Sequence, residues 1–114
     1  MDRPYLTVIE TAPYLRQAEK LLAPWQMEEV VMMVAGDPEI GTAIAGGSGI
    51  RKFRYASQRG KGKRGGARVI YLAVTGKGKA WLLDIYAKNE KEDLTRAEIE
   101  TMAKIAKFLK GEKT

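Results

Sequence analysis

Two apolar runs, Ala67 to Val74 and Ala80 to Ala87, stand close together around Thr75-Gly76-Lys77-Gly78-Lys79. Both are rich in β-branched and aromatic residues, and the glycine-bearing link between them can reverse the chain, so the pair reads as a β-hairpin. Ile50 to Ala56 alternates, placing Arg51, Phe53 and Tyr55 on one side and Lys52, Arg54 and Ala56 on the other. That pattern is a strand with a cationic face. Tyr5 to Ile9 is short and β-prone. Thr11 then stands as N-cap of a helix running to about Leu22, with Pro13 in the first turn, where a missing N–H is harmless. Pro24 opens a second helix, whose Trp25, Val30, Val31 and Val34 recur on one face and which Gly36-Asp37-Pro38 ends. The two helices form a hairpin.

Gly41 to Gly49 is small and glycine-rich, which suits a connecting loop, and no lysine follows its glycines as a phosphate-cradling P-loop requires. Near the C-terminus Thr95 and Glu98 form a capping box ahead of Ile99, Met102, Ala103, Ala106 and Leu109, spaced as the apolar stripe of a closing helix. Lys110 to Thr114 is expected to fray. The expected fold is α+β in the order β-α-α-β-β-β-α: an N-terminal helical hairpin on a small, mainly antiparallel sheet, with a C-terminal helix. Residues 1–114 fit one domain.

Charge is distributed unevenly over this scaffold. No acidic residue occurs between Glu39 and Asp84, while ten of the twenty Lys and Arg residues fall there: Arg51, Lys52, Arg54, Arg59, Lys61, Lys63, Arg64, Arg68, Lys77 and Lys79. The formal net charge of +6 thus comes from one stretch, the remainder of the chain being net acidic. Such a field attracts a polyanion, and nucleic acid is the first partner to consider. With no cysteine, a disulfide framework, a thiolate metal site and a thiol nucleophile are all excluded, and a reducing cytoplasm is the default compartment. Neither an export signal nor a membrane span is read: the start lacks a basic region leading into an apolar one, and the longest apolar runs are far too short to cross a bilayer.

The absence of histidine removes the usual proton shuttle near neutral pH and the commonest metal ligand. Glu90, Glu92 and Asp93 form the only close acidic cluster and could in principle hold magnesium. The stronger reading places them before or at the start of the last helix, where carboxylates favour the positive end of the dipole. RNA can also be cut without a metal or cofactor. A base takes the 2'-hydroxyl proton, cations hold the charge of the phosphorane, and an acid protonates the leaving 5'-oxygen. Lys and Arg can fill these roles, since crowding by other cations makes a lysine a usable base and the arginine fork reaches two phosphate oxygens.

Arrangement singles out a few of these cations. Lys52 and Arg54 share a strand face, Arg68 opens the neighbouring strand, and Lys88 follows the end of the last one, so antiparallel pairing could gather them on one surface. Arg59, Lys61, Lys63 and Arg64 sit among glycines and read as electrostatic contacts to an RNA backbone, along with Arg51. Tyr55, Tyr71, Tyr86 and Trp81 could stack bases, although core packing is the better account for most of them, above all for Trp81, which alternates with Leu83 and Ile85.

The runs Gly49-Ile50-Arg51-Lys52-Phe53-Arg54, Gly66-Ala67-Arg68-Val69-Ile70-Tyr71 and Leu83-Asp84-Ile85-Tyr86-Ala87-Lys88-Asn89-Glu90-Lys91-Glu92-Asp93-Leu94 resemble the HigB branch of the RelE/ParE toxin superfamily. The resemblance covers nearly the whole chain. It implies the toxin of a bacterial type II toxin–antitoxin pair, which cleaves mRNA in the ribosomal A site without a metal. A helix-turn-helix antitoxin would neutralise it, and contact with operator DNA would be made only through that antitoxin. The family's strand cations fall on Lys52 and Arg54, its phosphate-contacting arginine on Arg68, and its basic cluster after the last strand on Lys88 and Lys91.

The RelE type member carries an arginine beside its post-strand lysine and a tyrosine near its final helix, where this chain has Asn89 and Thr95. Lys88 or Lys91 would then serve as general base, with Tyr86 a weaker candidate. Two other readings compete: a basic nucleic-acid-binding module without catalysis, and a gyrase-inhibiting protein of the ParE kind. The basic window favours the RNA-cleaving branch over the latter.

Overall fold

The structure is a computed structural model that describes residues 5–56 and 66–111. Its elements run β1 (Thr7–Glu10), α1 (Ala12–Leu21), α2 (Pro24–Gly36), β2 (Thr42–Ala43), β3 (Arg51–Tyr55), β4 (Ala67–Val74), β5 (Lys79–Ala87) and α3 (Arg96–Leu109), with a 3-10 turn at Thr75–Lys77 closing the β4–β5 hairpin. The five strands form one sheet in the order β1-β5-β4-β3-β2. Among the described residues only the β1–β5 pair is parallel, as expected where a helical crossover separates the strands.

Local chemistry sets the helix starts. The Thr11 hydroxyl accepts from Tyr14 N–H and donates to Leu82 O at 2.8 Å, fixing the start of α1 to the central hairpin. At α2, Gln26 Oε1 reaches back to the Ala23 N–H at 2.8 Å. At α3, Thr95 Oγ1 accepts from Glu98 N–H while Glu98 Oε1 accepts from Thr95 N–H at 2.8 Å, the reciprocal pair expected from the sequence.

Each face of the sheet is covered. On one, the α1–α2 hairpin brings Tyr14, Ala18, Val30 and Val34 against Phe53, Tyr55, Val69, Tyr71, Leu82 and Ile85, almost all of them fully buried. On the other, α3 lays Met102, Ala106 and Leu109 over Ile50, Leu72, Trp81 and Leu83, and Ile99 and Met102 over Ile70, Tyr86 and Leu94. Burying both faces explains why the two apolar runs carry so little polar chemistry.

Several sequence expectations are corrected. Gly41 to Gly49 is not wholly loop: Thr42 and Ala43 pair with Lys52 and Arg51, and Ile44 N–H donates to Ile50 O at 3.0 Å, so the glycines close a small hairpin against β3. Trp25 stands 38% exposed, whereas Val30 and Val34 of the same helix are fully buried, so the core-facing stripe does not extend to the first turn of α2. Lys110 is anchored rather than frayed, its ammonium donating to Ser48 O at 2.6 Å. Residues 112–114 lie outside the described residues. No helix among the described residues is long and apolar enough to cross a membrane.

Candidate functional site

The α3-side face of the sheet is apolar where the helix lies and charged beyond it. Cross-strand register builds the charged part. Arg54 of β3 stands opposite Arg68 of β4, which stands opposite Tyr86 of β5, and the next rung runs Lys52, Ile70, Asp84. Directly opposed residues share a face, so Lys52, Arg54, Arg68, Asp84 and Tyr86 form one two-rung ladder. Two arginines facing each other across strands repel, and like charges so placed destabilise a sheet. Neither has an ion-pair partner among the described residues. The Arg68 Nη1 and Tyr86 hydroxyl are buried with no hydrogen-bond partner among the described residues. Adjacent orphaned donors in a cationic setting are suited to an anionic oxygen supplied from outside.

The turn after β5 and the start of α3 wall this ladder. The Lys52 ammonium meets Asp93 Oδ1 at 2.7 Å, and the Lys91 ammonium meets Glu98 Oε2 at 2.6 Å. Lys91 also lies 5.1 Å from the centre of the Tyr86 ring, within cation–π range. Contact and burial move the carboxyls here in opposite directions. The hydrogen bond from Lys52 lowers the Asp93 pKa, and those from Lys91 and then the Thr95 amide lower that of Glu98. Burial raises Asp84, more than its bond from the Ile85 N–H and the charge of Lys91 lower it. Burial also raises the Tyr86 phenol, with the negative charge of Asp93 adding to the shift.

Among the residues singled out from the sequence, Lys52, Arg54, Arg68, Tyr86 and Lys91 are therefore brought together. Lys88 opens the turn after β5, and its N–H donates to Gly66 O at 3.3 Å, which ties that turn to the start of β4 beside Arg68. Gly66 adopts φ +57, and a Cβ there would lie 2.7 Å from Tyr55 O, so this junction of three chain segments has room for glycine alone. Arg51 lies apart from the ladder. It pairs with Tyr71, whose side chain faces the helical hairpin, and its guanidinium donates to Gly41 O at 2.6 Å. Arg59, Lys61, Lys63 and Arg64 lie outside the described residues. Glu90 and Glu92 are exposed while Asp93 turns to Lys52, and among the described residues no group of three or more acidic side chains could hold a metal ion.

Sequence reasoning missed Asp84 and the ion-pairing roles of Asp93 and Glu98. Asp84 carried a signal, being a lone acid inside the apolar run Leu82-Leu83-Asp84-Ile85-Tyr86. The other two pairings join residues 41 and 7 positions apart, and no local pattern announces them.

Over residues 26–114 the chain matches the family described as RelE toxin of the RelE/RelB toxin–antitoxin system. That stretch holds nearly all of α2, β2 to β5 and α3. Among solved structures, a double arginine-to-alanine mutant of the E. coli toxin RelE in the free state superposes with a TM-score of 0.58 at 15% identity, over 89% of this chain and 96% of that one. The RelBE2 toxin–antitoxin complex from Mycobacterium tuberculosis gives 0.49 at 16% identity, over 75% of this chain and 94% of the matched chain.

Proposed function

The chain belongs to the RelE toxin family of toxin–antitoxin systems, and from that premise we propose that it is a metal-independent endoribonuclease that cuts mRNA on the ribosome and is silenced by a partner antitoxin. The observation that carries this reading is the Arg54–Arg68–Tyr86 rung, with its opposed arginines and its two buried donors that have no partner among the described residues. A core has no use for that arrangement, and a phosphate satisfies it. Arg54 and Arg68 would hold the non-bridging oxygens of the scissile phosphate, where their forks remain charged and can strengthen their grip as the phosphorane forms.

The chemistry then needs one proton removed and one supplied. Lys88 has no ion-pair partner among the described residues, and in its neutral form it would accept the proton of the 2'-hydroxyl. The 2'-oxygen attacks phosphorus and the bond to the 5'-oxygen breaks. Lys91, held by Glu98 at the edge of the ladder, would protonate that leaving oxygen. The products are a 2',3'-cyclic phosphate and a 5'-hydroxyl, and no divalent ion takes part in the proton transfers.

The test uses purified protein, intact ribosomes programmed with mRNA, and magnesium replaced by a polyamine mixture that preserves the ribosome. Cleavage with cyclic or 3'-phosphate ends is expected, with Lys88→Ala inactive though folded by circular dichroism. A 5'-phosphate product with strict metal dependence would overturn the mechanism. Tight RNA binding without cleavage would favour the plain basic binding module.

A further inference from the structure

Strand β5 changes phase halfway along. Tyr71 pairs with Leu82 while the preceding Ile70 pairs with Asp84, leaving Leu83 as an extra residue in the ladder. Ala80 and Leu82 before the bulge face the helical hairpin, as does Ile85 after it, whereas Trp81, Leu83 and Tyr86 face α3. Leu83 and Asp84 therefore turn in succession to the same side. Unbroken alternation from Leu82 would have sent Asp84 and Tyr86 to the hairpin face, leaving Arg68 opposite no hydroxyl. The bulge is what places the tyrosine in the cation ladder, in keeping with the way bulges re-aim side chains beside functional sites.

Asp84 itself holds the bulge. Its Oδ1 accepts the N–H of Ile85 at 2.8 Å, giving a partner to the amide at the point where the strand slips. Its charge also acts on Tyr86, and Lys91 and Glu98 act on it in turn. The side chain that accepts the Ile85 amide thus also interacts with Tyr86, Lys91 and Glu98 on that edge of the site.

Resting on the reading that this ladder cleaves RNA, we propose that Asp84 is a positioning residue of the site: by accepting the Ile85 amide it locks the β5 bulge and so sets Tyr86, and Lys91 above it, against Arg68. The geometry of the acceptor is what matters, and asparagine supplies the same oxygen without the charge.

Two variants separate this role from a general loss of structure. Asp84→Ala removes the acceptor and should lower kcat on programmed ribosomes by about 10- to 100-fold, because small misplacements of reacting groups are costly, with KM nearly unchanged. Asp84→Asn should restore kcat to near wild type. The ring resonances of Tyr86 in isotopically labelled protein without RNA give a second readout: they should shift in Asp84→Ala and return in Asp84→Asn. Should Asp84→Ala prove unfolded, Asp84→Val, which suits a strand and also lacks the acceptor, takes its place. Asparagine as damaging as alanine, or Tyr86 resonances indifferent to both changes, would overturn the proposal. A wild-type protein that does not cleave would instead sink the endoribonuclease reading, and the Tyr86 resonances would still decide the role of Asp84.

Discussion

Replacing Arg68 by methionine separates a residue kept for function from one kept for stability. Arg68 stands between Arg54 and Tyr86, half-buried, with Nη1 unpartnered among the described residues. Opposed like charges across a strand pair are destabilising. A fully buried orphan donor costs roughly 1–3 kcal/mol, only part of which applies to a side chain that is half-buried. Methionine keeps most of the apolar stem while removing the charge and the donors, so Arg68→Met should leave stability unchanged or raise it by up to about 1 kcal/mol, a few degrees in Tm for a chain of this size. Activity should move the other way. Loss of an electrostatic contact to the transition state slows catalysis by about 100- to 1000-fold, roughly 2.7–4 kcal/mol. Thermal denaturation followed by circular dichroism, run beside mRNA cleavage on programmed ribosomes, measures both. A variant that cleaves at the wild-type rate and has lost more than about 1 kcal/mol would show that Arg68 serves the sheet, and the reasoning from its unpartnered charge would fail.

Two further outcomes follow from α3 and the ion pairs at its start. Thr95→Ala removes one half of the capping box and should cost about 0.5–2 kcal/mol in urea denaturation; a loss below a few tenths would mean that packing alone sets the helix start. The lowered carboxyls of Glu98 and Asp93 bind fewer protons in the folded chain than in the unfolded one. Their contribution is therefore present above about pH 4.5 and is lost as pH falls through the lowered folded values. A Glu98→Gln, Asp93→Asn double variant should show a shallower loss of stability on acidification than wild type, and identical slopes would show that these pairs contribute nothing to folding.

Much of the fold could be read from the chain because its signals are local. The Thr95/Glu98 box, the Thr11 cap and the glycine-bearing link between β4 and β5 each declare themselves within a few residues, and the structure places all three as expected. The alternation of β3 gave Lys52 and Arg54 a common face because that strand is regular. In β5 the same rule fails. Alternation groups Ile85 with Trp81 and Leu83, yet Ile85 packs under the helical hairpin, because the bulge at Leu83 belongs to the pairing of two strands and leaves no mark in either alone. The ion pairs were hidden for a related reason: Lys52 lies in a window without acids and its partner Asp93 arrives from beyond it, while Lys91 and Glu98 meet only because the turn after β5 leads back to the start of α3. The residue runs that pointed to the toxin superfamily agree with the family match over residues 26–114, while the HigB branch rests on those runs alone.

Glu98 divides its carboxylate between two tasks: Oε1 closes the turn at Thr95 and Oε2 holds Lys91. Were a phosphate to bind at the ladder as proposed, it would take the lysine without unwinding the helix, because the oxygen it displaces is not the one that the helix needs. Glutamine at this position could keep the cap and surrender the ion pair in a single nucleotide change. The architecture of the chain and the strength with which the proposed site grips an anion would to that extent be separately heritable, so that selection could tune the one without first having to damage the other.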